Sequence, residues 1–194
     1  EECPYIDAAA LEQHRNRGAG AVTFEDDMSI YMESLREKIR HTDLAEAAER
    51  VGGVYRNGRL TIKIFGKDFS VDTQGTVHTD IHVNPWVLTP FYSYILNARG
   101  TEPRGEWVPF RELPGGREFN GLYQQRCEKP LKRVADTYTD LFEDMITLFN
   151  GREVEQMYES DISLVLYPFP KVPLLICYWK PEEELDSDFH LFFD

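Results

Sequence analysis

The chain has 194 residues, 42% of them hydrophobic and 13% aromatic, and a formal net charge of −13. A chain of this length suits one domain and buries roughly 70% of its unfolded surface, so folding alone requires neither disulfides nor a metal. The charge counts against general nucleic-acid binding, which depends on cations facing phosphate, and against attraction to anionic membranes.

Cys3, Cys127 and Cys177 are odd in number and far apart. They form neither a disulfide framework nor a four-thiolate site, and they point to a reducing, cytoplasmic setting. No basic segment followed by an apolar run opens the chain, so no signal peptide is expected. The longest apolar region, residues 162–179, is interrupted by Pro168, Pro170, Lys171 and Pro173 and fails as a membrane-spanning helix.

In chain order, Asp7 to Arg15 predicts a short helix, ended by Gly18 and Gly20. Met28, Tyr31, Leu35 and Ile39 recur at helical spacing behind Asp26 and Asp27, which favour the positive end of the helix dipole. Leu44, Ala47, Ala48 and Val51 predict another helix, stopped by Gly52 and Gly53. Period two then takes over. Leu60, Ile62 and Ile64 alternate with Thr61 and Lys63 after the tight-turn pair Asn57–Gly58, and Phe69 and Val71 follow Gly66 in a small meander. Asn84–Pro85 reads as an N-cap and first helical residue, opening an aromatic helix toward Ala98 with Pro90 inside it. Residues 99–118 predict loop around a short strand near Trp107 to Phe110. The steps of three and four through Leu131, Val134, Tyr138, Leu141, Met145 and Leu148 predict one helix over 130–149, ended by Asn150–Gly151. Two apolar strands, 162–167 and 172–179, flank a Pro-rich turn. With neither repeats nor a dividing linker, the pattern predicts an α+β fold in a single domain, a mostly antiparallel sheet packed against several helices.

Three groups carry candidate chemistry. On a strand, His78, Asp80 and His82 would share one face, and two imidazoles with a carboxylate are the protein part of a zinc or non-haem iron site. The outer pair would lie roughly 13 Å apart at the backbone, so convergence on a divalent transition metal needs a bulge or turn. The competing reading is a polar strand edge. Residues 99–133 hold eight basic residues against five acids, and Arg111 precedes the turn Leu113–Pro114–Gly115–Gly116. Arg111 and Arg117 beside open amides of Gly115 and Gly116, with Trp107 or Tyr123 as an apolar wall, would suit a carboxylate or phosphate. The alternative is pairing of Arg111 with Glu112, Glu118 or the acidic tail. Asp161 leads into an apolar strand, where a buried carboxylate would act as acid or base, though such a residue more often caps a turn.

Two segments read together resemble a known family. One is Gly105-Glu106-Trp107-Val108-Pro109-Phe110-Arg111-Glu112-Leu113-Pro114-Gly115-Gly116. The other is Phe169-Pro170-Lys171-Val172-Pro173, followed by Trp179 and Phe192-Phe193-Asp194. They are similar to the prokaryotic domain of unknown function 3786, found largely in anaerobes, over about 43–194. The resemblance implies an α+β core there, with residues 1–42 as an N-terminal helical segment, and directs attention to Arg111, Asp161 and Asp194. Some relatives are described as iron–sulfur proteins. Cys3 has no closely spaced partner, so no cluster is carried over. The expected function is a binding or accessory domain for a small anionic ligand or a protein partner. The alternative is a metal-dependent enzyme using His78, Asp80 and His82.

Overall fold

The computed structural model describes residues 24–138 and 140–194, with side chains from Met28 onward. The helix expected over Asp7 to Arg15, its glycine break and Cys3 lie outside the described residues. Helix α1 (Phe24–Arg40) has Asp26 and Asp27 in its first turn and buries Met32, Leu35 and Ile39. Tyr31, expected on that face, is exposed, because Met32 takes the inward position one residue on. Helix α2 (Leu44–Val51) starts on Asp43, whose carboxylate accepts the Ala45 and Glu46 amides at 2.9 and 3.1 Å. It ends at Gly52 with φ 67°, the left-handed conformation a C-terminal glycine adopts without steric penalty.

The expected meander follows as β1 (Val54–Arg56), β2 (Arg59–Ile64), β3 (Lys67–Asp72) and β4 (Val77–His78), antiparallel throughout. Asn57 and Gly58 both have positive φ, as a two-residue hairpin turn demands. Leu60, Ile62, Ile64, Phe69 and Val71 point inward from this first sheet. With α1, α2 and helix α3 (Pro85–Asn97) they make the first core, into which α3 sends Phe91, Tyr92 and Ile95. Asn84 caps α3 as expected, accepting the Trp86 amide at 2.9 Å.

One sheet was expected; two form. The second has the order β5-β9-β8-β7-β6, built from β5 (Val108–Pro109), β6 (Arg152–Glu153), β7 (Ile162–Phe169), β8 (Val172–Trp179) and β9 (Asp188–Phe193), again antiparallel. The strand expected at Trp107 to Phe110 shrinks to β5, and a 3-10 turn, Phe110–Glu112, follows it. β7 and β8 are apolar on both faces because both are covered. Ala135, Phe142 and Met145 pack on one side, while Trp107, Val154 and Met157 pack on the other.

The single helix expected over 130–149 is a correction. Helix α4 (Gly116–Tyr123) runs through a π-helical turn, Gln124–Glu128, into α5 (Lys129–Thr137), and α6 (Leu141–Leu148) is separate. The widened turn lies directly ahead of Pro130, which has no amide for the carbonyl four residues back and whose ring crowds it. The break between α5 and α6 falls on a run of poor helix formers from Asp136 to Asp140. Of the expected stripe, Leu131, Leu141 and Met145 face the second core, joined by Ala135 and Phe142, whereas Val134, Tyr138 and Leu148 are exposed.

Phe65 joins the halves. It sits in the β2–β3 turn at φ 48°, donates its amide to Tyr167 O at 3.1 Å and packs against both cores. A left-handed phenylalanine is costly, and its position between two cores accounts for its retention there.

Candidate functional site

Between α3 and β5 the chain crosses from one sheet to the other as an extended strap, residues 98–107. Three elements fasten it. Arg50 of α2 donates through Nη1 to Ala98 O. Lys171, in the β7–β8 turn, donates through Nζ to Gly100 O at 3.3 Å and pairs with Glu102 Oε1 at 2.7 Å. Asp194 accepts the amide of Arg104 at 3.0 Å and that of Gly105 through its other oxygen. The Lys171 side chain is only 15% exposed, whereas that of Glu102 is 74% exposed. The lysine is therefore a fixed cation and the glutamate a surface group that reaches in.

The turn carrying Lys171 is locked in its own right. The Lys171 amide donates to Tyr94 Oη at 3.2 Å, and that hydroxyl donates to Val51 O at 3.0 Å. The Tyr94 ring stacks on Phe169 with centroids 4.5 Å apart and planes 19° from parallel. Burial, and then the nearby Glu102 charge, keep the Tyr94 phenol above its ordinary pKa although the Lys171 amide pulls it down, so it stays a neutral hydroxyl.

A hollow of about 390 Å³ opens beside this assembly, floored by Tyr94, Phe169 and Val172 and rimmed by Arg50, Arg99 and Lys171. A second, of about 400 Å³, lies across Lys171, against Glu102, Arg104, Glu106 and Asp194. Lys171 and Thr101 line both. The first is the more distinctive chemically: three cations and no carboxylate on its lining, within a chain of charge −13.

The residues singled out in the sequence fall elsewhere, with one exception. The strand meant to align His78, Asp80 and His82 ends at His78, and Asp80 and His82 are exposed beyond it. His78 Nε2 instead lies 2.9 Å from Asp72, which also accepts the Gln74 and Thr76 amides. Burial pushes the Asp72 carboxyl up, but these hydrogen bonds together outweigh it and hold the pKa below the ordinary value. Among the described residues, no group of three or more His, Cys, Asp and Glu side chains is arranged to hold a metal ion. Asp161 is exposed and accepts the Lys180 amide at 2.7 Å, closing the end of the β7–β8 hairpin.

Arg111 is exposed, with Glu112 3.9 Å away. The Gly116 amide is already bonded to Leu113 O at 2.8 Å, and a Cβ at Gly116 would fall 1.8 Å from Phe110 O. Gly116 is needed for close packing, and Gly115 for its left-handed backbone at φ 76°. Trp107 lies on the outer face of the second sheet, and Tyr123 stacks on Phe110 at 4.1 Å, so neither walls Arg111. Arg111, Gly115, Gly116 and Arg117 line neither hollow. Asp194 is the exception.

A further polar group gathers at the edge of β9. Glu128, from the π turn, accepts the Leu191 amide at 3.1 Å and stands 3.5 Å from His190 Nδ1, while Asp188 stands 3.1 Å from Nε2. The Glu128 hydrogen bond and the charges of both acids outweigh burial and raise the His190 pKa.

The strap, the Lys171 turn and the Asp194 clamp come from segments distant in the chain, yet all fall within residues 43–194. Residues 43–194 match the family model described as Domain of unknown function (DUF3786). The chain belongs to that family. No curated protein and no solved structure matches it. The DUF3786 stretch opens on Asp43, the cap of α2, and closes on Asp194, the clamp of the strap, so it holds every residue lining the two hollows. Helix α1 lies before it. Of the residues lining the two hollows, sequence reasoning did not single out Arg50, Tyr94 or Lys171 as candidates, and it counted Arg99 and Glu102 only within the charged segment 99–133. The signal was present for one of them: a lysine inside an otherwise apolar, proline-bounded hairpin.

Proposed function

We propose that this DUF3786 chain binds a small organic anion, a carboxylate or phosphate with an apolar body, in the hollow between α3 and the β7–β8 turn. The observation that carries the reading is the lining: Arg50, Arg99 and Lys171 around a floor of stacked Tyr94 and Phe169. Its volume falls in the range of small-ligand sites, and an aromatic floor with convergent charged groups suits an anion with an apolar body. Arg99 is exposed, while Lys171 is largely buried and bonded to Gly100 O. We also propose a reducing, cytoplasmic setting, in keeping with the unpaired Cys127 and Cys177.

Thermal unfolding with benzoate, phenyl phosphate and the neutral isostere benzamide tests this. At ten times its Kd an anion stabilises by about 1.4 kcal/mol, a rise of about 3–6 °C for a domain of this size. Benzamide is expected to do nothing. Arg99→Ala, which leaves the core untouched, should remove most of the shift. Equal stabilisation of wild type and Arg99→Ala, or none by either anion, refutes the reading.

A further inference from the structure

We propose that Glu102 is a built-in competitor for the ligand: its carboxylate occupies Lys171 when the hollow is empty and is displaced when an anion enters. The inference rests on the anion-binding reading above and adds a regulator to the same site.

The geometry of Lys171 is the starting point. An ammonium has three N–H donors. Two are used, one on Gly100 O and one on Glu102 Oε1. A ligand carboxylate on the third would share the ammonium with Glu102 at close range, and like-charge repulsion then expels the more exposed glutamate. The Gly100 bond is a strap fastener, made to main chain. The Glu102 bond is different in kind, because it comes from a side chain at the solvent face of the strap. Glu102 lines the second hollow and not the first, so it reaches Lys171 from the side of the second hollow.

Relative strengths then decide what happens. An ion pair with one largely exposed partner contributes little, because water competes for the carboxylate and an unpaired glutamate regains rotamer freedom. The strap does not depend on it: Arg50 on Ala98 O, Lys171 on Gly100 O and Asp194 on the Arg104 and Gly105 amides hold both ends. Glu102 can therefore leave without the wall of the hollow collapsing. A ligand anion arriving from the first hollow meets Arg99 and the same ammonium, and it has the apolar floor that Glu102 lacks. Occupancy is then an exchange of one carboxylate for another at a fixed cation, and the glutamate sets the threshold concentration. The exchange also selects among ligands. A neutral molecule that merely fills the hollow displaces nothing and gains no ammonium.

Calorimetric titration of the full chain with benzoate and phenyl phosphate tests the assignment, using wild type, Glu102→Gln and Glu106→Gln. Glu106 lies on the same strap, lines the second hollow and has the same charge, with no ion pair to Lys171 among the described residues. It separates a specific competitor from a general change of field. Removal of an exposed pair should tighten binding by about 1.5-fold to fivefold in Glu102→Gln, with Glu106→Gln unchanged. Binding seen only in Glu102→Gln is the same result in stronger form. Equal or weaker binding by Glu102→Gln, or equal tightening by Glu106→Gln, overturns the competitor and leaves the anion site standing. If no variant binds either probe, the anion site itself is refuted and the competitor with it.

Discussion

At the scale of single residues, the groups that matter are those whose surroundings change their chemistry. His190 is the clearest titrating case. Its folded pKa lies above the ordinary value because Glu128, and then Asp188, favour the imidazolium. A raised folded pKa means that stabilisation by the charged form is complete below the unfolded value, about 6.5, and is lost as pH rises through the folded value. The stability difference between wild type and His190→Gln, from urea unfolding, should therefore be largest near pH 6 and shrink steadily toward pH 9. A difference that stays flat or grows with pH would show that His190 acts by packing alone. Lys171 owes its character to its surroundings. In sequence it interrupts an apolar run; in space, burial to 15% exposure turns that interruption into a fixed charge at the junction of two hollows.

At the scale of elements, local chemistry predicts starts and stops better than it predicts continuity. Asp43, Asn84, Gly52 and Asn57–Gly58 all behave as their residue types require, because capping and turn formation involve only neighbouring backbone. Asp43→Ala should cost about 1 kcal/mol, read by urea denaturation with unchanged slope. An effect below about 0.3 kcal/mol would mean that packing holds α2 without its cap. The long helix expected over 130–149 fails for the complementary reason. The break between α5 and α6 resets which side chains face the sheet, so Leu131, Leu141 and Met145 of the expected stripe turn inward while Val134, Tyr138 and Leu148 stay exposed. The strand expected through His78 to His82 also fails, since alternation of polar and apolar residues does not supply a partner. β4 pairs only as far as Ser70↔His78, and the chain beyond it turns toward the Asn84 cap.

At the scale of the whole molecule, two antiparallel sheets with separate cores are joined by a small set of contacts. Phe65 packs on both cores, Phe169 of the second sheet packs on the first core, and Tyr94, Lys171 and Arg50 tie the strap between them. These contacts predict one cooperative unfolding transition. Trp86→Phe leaves Trp107 and Trp179, both on the second sheet, as the only tryptophans. Their fluorescence and the far-UV circular dichroism of the whole chain should then give the same urea midpoint. Separated midpoints would mean that the sheets unfold independently. No helix among the described residues is long and apolar enough to cross a membrane, in line with the proline-broken run at 162–179.

The amino-acid sequence by itself determined the α+β class, the meander, the caps, the apolar hairpin and the family. Each of these depends on periodicity, turn chemistry or motif over short stretches. Only the tertiary structure decided that there are two sheets and that the strap between them is fastened by Arg50, Lys171 and Asp194. Those residues lie up to 144 positions apart in the numbering of the chain. Their meeting is set by how two cores pack across Phe65, a long-range outcome that no local pattern encodes. The basic segment around Arg111 drew attention because charge can be counted along a sequence. The hollow beside Lys171 could not be counted, because burial is what makes its charge distinctive.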